Sequence, residues 1–241
     1  MKLHQLPRKV AGKLAVHASR WAGWDDVSLT RIRGRTDLKH IGTKYGGWVI
    51  PSTLLGAQSI CYCVGCGEDI SFDLGLIDEF GCHVFALDPT PRAIEHVQKV
   101  AGQNPQYHFS DTGLWVKEDR LKFYVPRDPS HVSHSLLNLQ GTADYIEVAV
   151  RRLSQVMREN GHARIDLLKL DIEGAEYRVL DSIVEDGLDI GVICVEYDEW
   201  FNSIDGGYKA RIRSSVRRLL ADGYVMVCAQ GGGNYTFVRN T

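Results

Sequence analysis

From residue 59 onward, short apolar runs that end in glycine or an acid alternate with stretches of helical periodicity. No other feature of the chain restricts its fold as much. An apolar run of four to eight residues reads as a strand buried on both faces, and helices between such strands imply parallel neighbours. Residues 59–64 form the first run and stop at Gly65-Cys66-Gly67. Ile70, Leu74 and Ile77 follow at helical spacing, with Gly81 as the stop. Residues 83–87 form the second run, which ends at Asp88-Pro89. Thr90 then reads as an N-cap, with Pro91 at the first helical position. Runs at 106–109, 165–170 and 192–195 end at Ser110-Asp111, Asp171 and Glu196.

The last strands have a different connection. Residues 224–229 and 235–239 flank Gly231-Gly232-Gly233-Asn234 and read as a hairpin. The expected fold is therefore α/β and doubly wound, with a mostly parallel seven-stranded Rossmann-like sheet and a C-terminal antiparallel hairpin. Residues 121–125 and 145–150 alternate in the two-residue strand pattern and are expected to pair with each other. The polar segment 126–143 between them is assigned as an acceptor-side loop, since loops of that length are usually functional. A helix over 208–220 carries Lys209, Arg211, Arg213, Arg217 and Arg218 on what reads as a solvated face. Residues 1–55 read as an irregular basic extension packing on the core, with a short amphipathic helix around 6–21, and 56–241 as one domain.

Composition narrows the classes further. With 241 residues, 44% of them apolar, the chain is long enough for one large α/β core. A net charge of -2 argues against a polycation built for nucleic acid. The charge is uneven: residues 1–44 hold ten Lys and Arg against three acids, leaving 18 and 27 of the chain's 28 and 30 for the remainder. That basic segment suits a membrane surface, an anionic substrate or the acidic body of its own fold. No apolar run approaches the ~20 residues that span a bilayer, and the start lacks a signal-peptide core. Most of the six cysteines sit inside apolar runs, which reads as reduced thiols and a cytoplasmic setting.

In open α/β sheets, ligands bind beyond the carboxyl ends of the strands. Gly65 and Gly67 would let the backbone approach a ligand closely. Asp88 lies 21 residues beyond Gly67, the spacing at which an acid accepts from the ribose hydroxyls of an adenosine. Ser110 and Asp111 would meet the adenine edge. A dinucleotide usually needs G-x-G-x-x-G, but the third position is Ile70, and Glu68 and Asp69 would repel a pyrophosphate. The same acids suit the sulfonium and ammonium of S-adenosylmethionine. The competing readings are a nucleotide-dependent oxidoreductase and a catalytically degenerate cofactor-binding module.

Gly65-Cys66-Gly67, Leu87-Asp88-Pro89 and the run from Ile165 through Lys169-Leu170-Asp171-Ile172-Glu173-Gly174-Ala175-Glu176 resemble the FkbM family of methyltransferases, over roughly residues 59–239. The resemblance implies a class I methyltransferase fold, S-adenosylmethionine as cofactor, and O-methylation of a small-molecule, sugar or lipid hydroxyl. It also implies cofactor contacts at Cys63, Gly65, Gly67, Asp88, Pro89 and Asp171. Two positions depart from the pattern. The acid that usually stands two residues before the first glycine is Cys63, and the third glycine of the family's turn is Asp69. The methionine end of the cofactor would then fall to Glu68 or Asp69.

Methyl transfer to a hydroxyl requires a proton acceptor. Asp171 and Glu196 at strand ends, and His131 and His134 in the long loop, are the candidates. Each has a plainer role: Asp171 as a helix cap, Glu173 and Glu176 as dipole partners, Glu196 as an ion-pair partner, the histidines as exposed loop residues. Asp171, Glu196, Asp198 and His134 offer ligands for a divalent ion, but at no diagnostic spacing, so no metal is assigned. Cys63-Val64-Gly65-Cys66 lacks a second ligand pair, and its thiols are read as packing residues.

Overall fold

The computed structural model describes residues 23–126, 136, 138, 141–201, 203–231 and 233–240. The chain opens with an antiparallel ribbon of β1 (Leu38–Ile41) and β2 (Trp48–Pro51). Next come β3 (Ile60–Val64), α1 (Ser71–Phe80), β4 (His83–Leu87), α2 (Pro91–Ala101) and β5 (Tyr107–Ser110). A small sheet is built from β6 (Gly113–Leu114), β7 (Asp119–Tyr124) and β8 (Tyr145–Arg151), in the order β6-β8-β7. The second half holds α3 (Leu153–Glu159), β9 (Arg164–Leu170), α4 (Glu176–Glu185), β10 (Asp189–Glu196), α5 (Tyr208–Ala221), β11 (Tyr224–Gln230) and β12 (Asn234–Arg239).

The main sheet has seven strands in the order β11-β12-β10-β9-β3-β4-β5. All neighbours are parallel except β12, which runs antiparallel between β10 and β11. This is the doubly wound sheet with a reversed last strand that the alternation predicts. Side-chain alternation divides the core in two. Tyr62, Val64, Leu168, Ile193 and Val195 face α3, α4 and α5, while Cys61, Cys63, Leu167, Val192 and Cys194 face α1, α2 and the β1–β2 ribbon. Burying each such Ile, Leu or Val contributes about 2 kcal/mol. Helix α1 ends at Gly81, in the left-handed region at φ 68°, whose N–H closes on the Ile77 carbonyl.

Four features differ from the expectation. Helix α3, absent from the expected elements, is only seven residues long and buries Leu153, Val156 and Met157. Residues 38–51, expected to be irregular, form a ribbon whose Ile41, Trp48 and Ile50 are buried against α1 and the main sheet. Thr90 starts α2 without a side-chain cap, because its hydroxyl donates to Asp88 instead. On α5, Arg211 pairs with Glu199 and Asp205, Arg213 donates to the Val27 carbonyl, and Arg218 pairs with Asp181. Arg211 and Arg213 are thus half-buried contacts, while Lys209, Arg217 and Arg218 stay on the exposed face that the sequence predicts. The helix expected at 6–21 and most of 126–143 lie outside the described residues.

Candidate active site

The strand order reverses between β3 and β9. The chain leaves β3 towards β4 and β5 and later returns on the other side through β9 and β10. Loops after β3 and β9 must diverge there, which opens a crevice at the carboxyl ends of the strands. A cavity of about 440 Å³ occupies it. Its wall includes Gly65, Gly67, Glu68, Asp69, Asp88, Pro89, Asp171 and Glu196. A second groove of about 660 Å³ lies near Trp24, Arg31 and Met226, with no carboxylate, histidine or thiol among its described lining residues.

The glycine turn is built by its neighbours. Gly65 has φ 84°, and a Cβ there would sit 1.7 Å from the Asp171 carbonyl oxygen. Glycine is thus required by the adjacent chain, not only by a ligand. Asp88 is buried, and its Oδ2 accepts from the backbone N–H groups of Cys66 (2.8 Å) and Gly67 (3.0 Å). Its Oδ1 accepts from the Thr90 N–H (2.9 Å) and hydroxyl (2.6 Å). Those four donors fill the ordinary acceptor capacity of a carboxylate. Asp88 therefore clamps the turn while bordering the cavity.

The other predicted cofactor residues divide. Glu68 makes a two-bond ion pair with Arg92. Asp69 accepts from the Thr43 hydroxyl (2.6 Å) and the Ser71 N–H (3.0 Å), tying the ribbon turn to α1. Three of the predicted residues do not line the cavity. Cys63 is not on the cavity wall: strand alternation turns it into the core beside α1. Ser110 and Asp111 are also off the wall. The Ser110 hydroxyl bonds that of Thr112, Asp111 is exposed, and Gly113 and Leu114 reach the cavity instead. His131 and His134 lie outside the described residues.

A buried charge network underlies the turn and was missed in the sequence. Asp73 on α1 is buried and accepts from the Tyr107 hydroxyl at 2.9 Å. Burial pushes its carboxyl up, opposed by the charge of Lys169. Lys169 stands across from Cys63 in the β3–β9 register. Its ammonium donates to the Gly65 carbonyl and lies 3.3 Å from Asp171 Oδ2. Burial opposes that charge, but Asp171 and Asp73 outweigh it and hold the lysine protonated. Asp73, supplied from the facing helix, places a carboxylate beside Cys63 and Lys169 but does not line the cavity. The signal was present: Asp73 follows Ile70 by three residues, on the apolar stripe of its helix.

Across the cavity, carboxylates crowd together. The loop after β9 is shaped by Glu176, whose Oε1 accepts from the N–H groups of Ile172 (3.2 Å) and Gly174 (2.9 Å). Glu173 takes φ 54°, a left-handed conformation that is costly for a side chain with a Cβ and that clusters at functional sites. Asp171 does not cap α4, which starts five residues later without a side-chain cap. Glu196 ends β10, and Asp198 and Glu199 follow in a 3₁₀ turn, Asp198–Trp200. Burial first, then the charge of Asp171, pushes Glu196 up to about 8. Burial likewise pushes Glu176 up to about 7. Tyr45, Phe123 and Phe201 complete the wall, and Tyr45 and Phe201 are exposed at its mouth.

A reversed last strand, a glycine turn after the first sheet strand and a cavity at the switch point are the architecture of the class I methyltransferase fold. The particular family is also clear. The FkbM methyltransferase domain matches residues 63–222, and the chain belongs to that family. It is 28% identical over 142 residues to rat "Probable methyltransferase-like protein 24", covering 58% of this chain and 32% of that protein. It is 31% identical over 133 residues to "Methyltransferase sdnD" of Sordaria araneosa, covering 51% and 48%. The match thus spans less than half of these relatives' lengths. Among solved structures, the human methyltransferase 10 domain containing protein aligns with 10% identity and a TM-score of 0.44, over 100% of this chain and 99% of that one. The Methanococcus jannaschii fibrillarin pre-rRNA processing protein aligns with 11% identity and a TM-score of 0.44, over 88% of each chain. Among the described residues, no helix is long and apolar enough to cross a membrane.

Proposed function

We propose that this chain transfers the methyl group of S-adenosylmethionine to a hydroxyl of a small molecule, sugar or lipid. One observation carries the reading: the glycine turn and the carboxylates of Asp171 and Glu196 border the same cavity. The residues present fit the cofactor. Gly65, Gly67 and Pro89 leave a wall free of large side chains, and seven acids line the cavity against Lys169 as the one cation among its described lining residues. A sulfonium and an ammonium suit that charge balance, whereas a pyrophosphate does not. When bound, S-adenosylmethionine supplies an electrophilic methyl on sulfur.

The chain's own residues do the rest. Asp88 borders the cavity and takes the ribose; of its four donors, the Thr90 hydroxyl is the one free to rotate and yield its place. Lys169, through the Gly65 carbonyl, keeps the turn rigid. Glu196 is the proton acceptor for the hydroxyl, and a general base in that position contributes about 10²–10⁴ in rate. Tyr45, Phe123 and Phe201 favour acceptors that offer an apolar or sugar-ring face.

Calorimetry with the demethylated cofactor product tests the first half, and absence of binding by the folded chain would sink it. For the second half, Glu196→Gln is expected to lower kcat by two to four orders of magnitude with little change in cofactor affinity. Unchanged turnover in that variant would remove Glu196 as the base. Mass spectrometry of the product, distinguishing O-methyl from N-methyl, decides the acceptor atom.

A further inference from the structure

We propose that Asp171, Glu173 and Asp198 form a binding site for a hard divalent cation, Mg²⁺ or Mn²⁺, on the acceptor side of the cavity. One carboxylate oxygen from each residue lies within 4.8 Å of the others. That upper limit is about twice a Ca²⁺–oxygen bond of ~2.3–2.6 Å, and a small inward shift of the side chains brings all three oxygens onto a smaller ion such as Mg²⁺ or Mn²⁺. All three residues line the cavity, where an ion keeps open positions for water and an acceptor oxygen.

The second observation is Asp198 itself. It is 6% exposed, and its Oδ2 is buried without any hydrogen-bond partner. A buried carboxylate oxygen left without a donor is rare in folded proteins, and a bound ion is one of its standard explanations. Glu176, whose Oε2 is also buried without a donor, stands within hydrogen-bonding reach of Asp198, so a proton or a cation must relieve the two carboxyls. Lys169 is committed to Gly65 and to Asp171, while Glu176 and Glu196 add further acid beside the cluster. Three oxygen ligands with no thiol or imidazole favour Mg²⁺, Mn²⁺ or Ca²⁺ over zinc or copper. The loop arrangement follows: Glu173 is held in its left-handed conformation where its carboxylate joins the other two.

The site stands on its own geometry. Its use, polarising the acceptor hydroxyl next to Glu196, rests on the methyl-transfer reading above. The test is a Mn²⁺ titration of the full chain without cofactor, followed by electron paramagnetic resonance. One saturable site is expected, displaced by excess Mg²⁺ or Ca²⁺. Asp198→Asn and Glu173→Gln are each expected to weaken it at least tenfold, and Glu95→Gln, on the exposed face of α2, to leave it unchanged. A thermal scan checks that each variant folds; should Asp198→Asn fail, the half-buried Glu173→Gln decides. No saturable binding at millimolar Mn²⁺, or equal binding in the folded variants, overturns the proposal. A chain that takes Mn²⁺ but not the demethylated cofactor product keeps this site and loses the methyl-donor reading; the reverse result sinks the cation site alone.

Discussion

Gly65 shows how one residue is fixed by a partner 106 positions away. Its missing Cβ makes room for the Asp171 carbonyl, so the β3 and β9 loops meet backbone to backbone. Gly65→Ala must displace backbone, not a flexible side chain, and must also hold φ 84° with a Cβ. A loss of about 3 kcal/mol or more is expected, read by chemical denaturation, together with loss of cofactor binding. A well-folded Gly65→Ala protein of near-parental stability would show that the two loops separate easily. The glycines and Asp88 were legible in the sequence because each sits at the end of a strand, where local patterning fixes position. What each contacts was not legible. Asp88 was expected to hold only a ribose, yet its carboxylate first builds the turn.

At the scale of elements, α5 and the 3₁₀ turn after β10 depend on each other. Glu199 is 1% exposed, and both its oxygens accept from Arg211 at 2.6 Å. The pairing locks the turn that presents Asp198 to the cavity. Arg211→Ala leaves a buried carboxylate without its partner, at an expected cost of about 2 kcal/mol, since Arg211 itself is partly solvated. Arg211→Lys should recover only part of that, because an ammonium cannot repeat the two-bond fork. Melting curves of the two variants check both statements; equal stability of Arg211→Ala and the parent would contradict them. Periodicity identified α5 and its charged face, but not which charges had partners. A sequence shows that arginines share a face, and only packing shows that a buried glutamate lies opposite.

The molecule as a whole should be sensitive to acid at the amino-terminal edge of its sheet. Tyr62, Phe85 and His108 stack there with His162 edge-on to Phe85, and the Tyr62 hydroxyl, which accepts from Asn160, is hydrogen-bonded to His162 Nδ1 at 2.8 Å. Burial, then the charge of His108, lowers the pKa of His162 below its ordinary value of about 6.5. The unfolded chain therefore takes the proton first. This contribution to stability is complete above the unfolded value and fades as pH falls through the folded one. Between pH 7 and 5 the parent should lose more melting temperature than His162→Gln. Parallel slopes for the two proteins would remove His162 from the response.

The strands, the helices between them, the turn glycines and the acids at strand ends were written in the order of residues. They follow from local forces: period-two and period-3.6 burial, and the backbone freedom of glycine. Strand order was not local, and it alone set β9 beside β3 and so brought Asp171 to Gly65. Tyr45, Phe123, Lys169 and Asp198 come from four separate segments, and nothing in their spacing announced a shared cavity. Ser110 and Asp111 stand off the cavity wall for the same reason: a strand end names a neighbourhood, while the path of the following loop decides which side chains enter it.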